Sequence, residues 1–178
     1  MRTVSEGRLR WYLLATLSLL GALLSPFARA DEPPVIEHQP SPCTIPDKAV
    51  SLCASVTDDG QVAKARIYFR AAGDKFYSFV DMAFGGINFC GTLPPPRGGK
   101  LETIEYYVQA TDDQFQAQRT STYQMTVQPE GVCEFPPIEK DATRSASVKV
   151  FATNKKQGKK LPDAFQSPGV SFIPIPDR

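Results

Sequence analysis

VSLCASVTDDGQVAKARIYFR, residues 50–70, holds two runs of strand formers around an acidic turn. In the first run Val50, Leu52, Ala54 and Val56 fall on one face and Ser51, Cys53 and Ser55 on the other. Period-two alternation of this kind marks a strand with one buried face. Asp58-Asp59-Gly60 breaks the run. In AKARIYFR, Ala65, Ile67 and Phe69 then alternate against Lys64, Arg66, Tyr68 and Arg70. Two such strands joined by an Asp/Gly turn are an antiparallel pair with one wet side.

The pattern continues outward in both directions. VIEH, from Val35, reads as a first strand. After the turn Ala72-Gly73-Asp74 comes FYSFVDMAF, then Gly85-Gly86, then INFCGTL ending at Pro94-Pro95-Pro96. ETIEYYVQAT alternates Ile104, Tyr106, Val108 and Ala110 against Glu105, Tyr107 and Gln109. Asp112-Asp113 interrupts it, and TSTYQMTV closes the series at Val127. About seven short strands with turn signals between them, and no segment of helical period, define an all-β sandwich.

Residues 1–30 stand apart. Arg2, Arg8 and Arg10 precede a 14-residue apolar run, Trp11 to Leu24, and Ala28-Arg29-Ala30 follows. The run is short of the roughly 20 residues a membrane helix needs. A positive start, an apolar centre and a small-x-small end make a signal peptide cleaved after Ala30. No later apolar stretch is long enough to span a membrane as a helix, so no membrane span is expected after cleavage. Expected domains are the signal peptide (1–30), the sandwich (31–138) and a basic C-terminal extension (139–178).

Charge is unevenly spread. Residues 31–138 carry 8 Lys/Arg against 14 Asp/Glu, and residues 139–178 carry 8 against 4. That distribution speaks against a nucleic-acid binder, whose folded domain would itself be basic. In the extension SASVKVFAT (145–153) and GVSFIPI (169–175) flank the basic turn NKKQGKK (154–160). Two strands around a turn read as a hairpin, here one able to dock on the acidic sandwich or meet an anionic envelope surface.

Cys43, Cys53, Cys90 and Cys133 are an even set in a chain read as exported, which points to two disulfides and leaves three pairings open. Zinc is excluded by spacing, since no two cysteines form a knuckle and His38 is the sole histidine. The sequence also lacks a nucleophile elbow, a P-loop and a zincin motif. His38 itself reads as a surface or edge-strand residue. No catalytic residue and no cofactor are assigned.

The stretches VSLCASVTDDGQVAKARIYFR, FYSFVDM, NFCGTLP and IEYYVQATDD, in that order, resemble the bacterial immunoglobulin-like domains related to fibronectin type III. In that group a second strand ending in Asp leads to a third ending in an aromatic pair and Arg, here Asp58 and then Tyr68, Phe69 and Arg70. A later strand ends Leu-Pro, as at Leu93-Pro94, and a Tyr-Tyr strand ends Ala-x-Asp, as at Tyr106, Tyr107, Ala110 and Asp112. The resemblance covers roughly residues 34–128 and implies a seven-stranded antiparallel sandwich. It carries little about function, because the fold hosts many roles.

Several expectations follow from the resemblance. The second and fifth strands would be neighbours, implying Cys53–Cys90 across the outer face of one sheet. Cys43 and Cys133 would meet at one pole as the second bridge. The third and sixth strands would be neighbours too, gathering Tyr68 and Tyr107, with Phe76, Tyr77 and Phe79 beside them and Arg66 and Arg70 alongside. That composition suits a protein or envelope-glycan partner. Asp58, Asp59, Asp112 and Asp113 would share a pole with Asp31 and Glu32. Converging carboxylates are a weak calcium candidate, weighed against the ordinary preference of Asp for turns. The expected function is an exported, non-catalytic binding or structural module, periplasmic or secreted. The alternatives are an accessory domain of an envelope enzyme or secretion complex, and a calcium-dependent adhesin-like domain.

Overall fold

The computed structural model describes residues 31–133 and 147–176. The leader, the segment 134–146 and therefore the expected boundary at 138 lie outside the described residues. The described residues are all-β, with twelve strands in two sheets. The first sheet has the order β1 (Val35–Glu37), β3 (Val50–Thr57), β7 (Phe89–Leu93), β6 (Ala83–Phe84). The second has eight strands. Its path runs from β12 (Val170–Ile173) through β11 (Val148–Ala152), β5 (Ser78–Asp81), β4 (Val62–Ala71), β8 (Thr103–Asp112) and β10 (Tyr123–Val127) to β2 (Cys43–Thr44). β9 (Ala117–Arg119) pairs with β8 off that path.

The alternation seen in the sequence sets the core. Leu52 and Ala54 of β3 and Leu93 of β7 face Ile67 and Phe69 of β4 and Ile104, Tyr106 and Val108 of β8 in one cluster. β4 and β8 are the longest pair, in register from Ala65↔Ala110 to Ala71↔Ile104. Their outer residues are half-exposed while the inner ones are buried. Burying an aliphatic or Phe side chain contributes roughly 1.5–3 kcal/mol, so these two strands are the energetic centre of the fold.

Gly91 lies on the inner face of β7, opposite Leu52. A methyl group there would sit 2.9 Å from Ile67 Cδ1, 3.1 Å from Met82 Cγ and 3.3 Å from the Asp81 carbonyl oxygen. The missing side chain lets the sheets approach at that point.

Three departures from the expected seven-stranded sandwich have local causes. The first strand is broken at Pro40 and Pro42: β1 pairs antiparallel with β3, and β2 pairs parallel with β10 in the other sheet. FYSFVDMAF is not one strand. β5 pairs with β4, β6 pairs with β7, and the chain changes sheets at the buried Met82, whose N–H donates to the Ala65 carbonyl.

The third departure is the extension, which is no hairpin. β11 pairs antiparallel with β5, and β12 pairs parallel with β11. Parallel strands need a crossover connection. Residues 153–169 supply it, placing Leu161 and Phe165 in the core. Phe165 meets Phe69 edge to face, with centroids 5.0 Å apart. The exposed lysines 155, 156, 159 and 160 take part in none of the ion pairs among the described residues, so apolar burial and strand pairing hold this part, not charge.

Both expected disulfides are present and no cysteine is free. Cys53 and Cys90 are direct cross-strand partners with Cα atoms 4.1 Å apart. Cys43 and Cys133 bridge a sequence separation of 90 residues. Two bridges and no free thiol place the chain in an oxidising, extracytoplasmic compartment. Among the described residues no helix is long and apolar enough to cross a membrane.

Candidate functional site

The outer face of the larger sheet gathers the expected aromatics and extends them. Tyr68 lies opposite Tyr107 on one side and opposite Phe79 on the other, and Phe79 lies opposite Phe151. Four rings on four adjacent strands thus form one rung across β8, β4, β5 and β11. Tyr68 and Tyr107 stack with centroids 4.9 Å apart and planes 7° apart. Phe79 and Phe151 stack at 5.0 Å and 12°. Tyr77 meets Tyr107 edge to face at 5.2 Å.

Three guanidinium groups lie over this face, two on rings of the rung and one on Tyr77 beside it. Arg66 lies 4.0 Å above the Phe79 ring, Arg70 4.4 Å above Tyr77 and Arg119 5.1 Å above Tyr107. Arg66 is held by Asp81 at 2.9 Å and Arg70 by Glu105 at 2.7 Å. Arg119 is exposed and has no ion-pair partner among the described residues. Burial raises the pKa of the Tyr107 phenol, as does the neighbouring phenol of Tyr68, while Arg119 pulls it the other way.

Sequence reasoning placed Tyr68, Tyr77, Tyr107, Arg66 and Arg70 on this face, and the structure brings them together. Phe79 is there but buried, under Arg66 and between its neighbours. Phe76 precedes β5 and is not part of the rung; Lys75 lies 5.5 Å over its ring. Arg119 and Phe151 were missed. The alternation of SASVKVFAT would have marked Phe151 as outward, but nothing local tells that it comes to lie beside Phe79.

His38 is a clamp on the opposite side of the core. Its Nδ1 donates to the Cys53 carbonyl at 2.8 Å, and its Nε2 lies 3.1 Å from the Tyr106 hydroxyl. Tyr106 also accepts from the Ser41 N–H at 3.1 Å. The network assigns the neutral Nδ1–H tautomer, with Tyr106 donating to Nε2. Burial lowers the His38 pKa, against the raising pull of the Cys53 carbonyl. Burial pushes the Tyr106 phenol up to about 12.

The acidic residues share the far pole. Asp58 and Asp59 follow β3, and Asp113 follows β8. Asp112 is not a loop residue. It is the last residue of β8, inward-facing, and 1 % exposed. Its Oδ1 accepts from the N–H groups of Gln114 and Gln116, at 2.9 and 2.8 Å. Its Oδ2 is buried without a partner, as is Oδ1 of Asp58. Asp58 Oδ2 accepts from the Gly60 N–H at 3.0 Å. Asp31 is tied to the same loop through Gln116 Nε2, 2.6 Å from its Oδ2. Burial raises the Asp58 pKa, against the Gly60 hydrogen bond, and the charges of Asp112, Asp59 and Asp31 raise it further. Among the described residues no three Asp, Glu, His or Cys side chains already stand close enough together to hold a metal ion.

Comparison with known protein families and with curated proteins finds no match. Among solved structures, the crystal structure of an engineered protein is similar over 56 % of this chain, at 14 % identity and a TM-score of 0.42. The match covers 21 % of that protein's length.

Proposed function

We propose that the chain is an exported, non-catalytic binding module of the bacterial envelope, an immunoglobulin-like sandwich of the fibronectin type III kind with a tail added to one sheet. Export is supported by the leader pattern of residues 1–30 and by the two disulfides. The observation that carries the binding reading is the four-ring rung and its neighbour Tyr77, with Arg66 over Phe79, Arg119 over Tyr107 and Arg70 over Tyr77. Aromatics and arginine are the residues that dominate protein interfaces.

The partner is a protein with an acidic patch, in preference to a glycan. Sugar recognition by stacking needs a free ring face. Here the faces of Tyr68, Tyr107, Phe79 and Phe151 are turned to one another. What the surface offers is phenol hydroxyls and a guanidinium without an ion pair, Arg119. Crosslinking with mass spectrometry on the exported protein in its native cells tests this. Crosslinks to one protein, mapping to this face and lost in Arg119→Glu with Tyr107→Ser, support it. Partner crosslinks that map elsewhere and survive both changes overturn it.

The accessory-domain reading uses the same face, with an envelope enzyme or secretion complex as the partner. Deleting residues 139–178 does not separate the two, because Val150, Leu161 and Phe165 belong to the core. The identity of the crosslinked protein does.

A further inference from the structure

We infer that the acidic pole is a calcium site, with the buried oxygens Asp112 Oδ2 and Asp58 Oδ1 as its floor. Buried polar atoms in folded proteins are nearly always partnered, and an orphan points to a missing water or ion. Here two carboxylate oxygens, one on the turn after β3 and one at the end of β8, are both buried and both orphaned. These two places are tied together where the Asp113 N–H donates to the Gln61 carbonyl at 3.0 Å. Burying like charges together is costly, and a cation relieves both the lost solvation and the repulsion.

The rest of the pole has the matching chemistry. Every candidate ligand is an oxygen: Asp113 Oδ1, which with Asp58 Oδ2 flanks Gly60, the Asp31 carboxylate and exposed Asp59. A side chain at Gly60 would lie 3.3 Å from both Asp113 Oδ1 and Asp58 Oδ2, so glycine leaves the space between the two turns open. Among the described residues none of these carboxylates has a Lys, Arg or His ion pair.

Asp112 separates a structural role from a binding one within a single side chain. Oδ1 organises the loop through two backbone N–H groups, and Oδ2 is left over. The ligand set is open as it stands. A cation closes it by drawing in Asp59 and Asp113, which sit on exposed turns. Calcium suits this because it accepts 6–8 oxygens in flexible geometry, whereas magnesium demands a near-ideal octahedron. The affinity expected is that of extracellular calcium modules, about 10⁻⁴–10⁻³ M.

The test is thermal unfolding of the full exported protein, disulfides intact, in EDTA and in CaCl₂ raised to about 10 mM. Binding at that affinity raises Tm by about 3–10 °C. Asp112→Asn keeps an oxygen for Gln114 and Gln116 but removes the buried charge, so it should fold and lose the calcium shift. Asp58→Asn, away from that loop, should lose it too, and MgCl₂ should give a smaller shift. Equal Tm in EDTA and CaCl₂ for the wild type, with no calcium heat by calorimetry, overturns the proposal. So does a calcium shift that both variants retain.

Discussion

The Tyr106 hydroxyl lies 3.1 Å from His38 Nε2, joining the inner face of β8 to the end of β1. Tyr106 is fully buried, and its hydroxyl serves two residues that precede β2 and β3, His38 and Ser41. Tyr106→Phe removes a donor for His38 and an acceptor for Ser41 while keeping the ring. Leaving those groups unpaired should cost about 1–3 kcal/mol, read as a lower denaturant midpoint at unchanged slope. A loss within experimental error would show that water replaces the hydroxyl at no cost.

The same clamp sets a pH dependence. The folded-state pKa of His38 is lowered, so the unfolded chain binds its proton first as pH falls. Stability from this group is therefore complete above about pH 6.5 and is lost as pH drops from there through the folded pKa. His38→Gln should flatten that part of the stability–pH profile. An unchanged profile between pH 7 and 5 would assign the dependence elsewhere.

Gly91→Ala tests the close approach of the two sheets. The added methyl meets Ile67, which is completely buried and has little room to move, and the rigid Asp81 carbonyl. Overpacking of this kind costs about 1–3 kcal/mol. Gly91→Ala with Ile67→Val should recover part of the loss, because the shorter side chain vacates the contact. Equal instability of the single and double variants would locate the strain at the backbone.

The two disulfides should differ in worth. On the chain-entropy account, closing a loop of 90 residues stabilises by about 4.6 kcal/mol and a loop of 37 by about 3.8 kcal/mol. Cys43→Ala with Cys133→Ala should thus unfold at lower urea than Cys53→Ala with Cys90→Ala. The reverse order would mean that packing around the exposed Cys53 outweighs loop closure.

β3, β4 and β8 were legible in the sequence because each has one wet face and one dry face. The pairing of Cys53 with Cys90 follows from that alternation once the order of strands is supplied by resemblance. FYSFVDMAF misleads because Ser78, Phe79 and Val80 are all buried, which erases the period. Phe79 is covered from outside by Phe151, a residue 72 positions away. Asp112 continues the parity of Ile104, Tyr106, Val108 and Ala110. Read as half of an acidic doublet, it passes for a turn residue, and its burial escapes notice. The parallel tail was illegible because a basic turn between two apolar runs has the local pattern of a hairpin. The crossover depends on where Leu161 and Phe165 find a dry surface.

Val150, Leu161 and Phe165 complete a core begun a hundred residues earlier at Val50 and Leu52. A chain emerging amino end first therefore cannot finish that core until Phe165 has been synthesised. The bridge from Cys43 also waits for Cys133. Both closures depend on residues that follow β8 in the chain, so neither can be complete when β3, β4 and β8 alone have emerged.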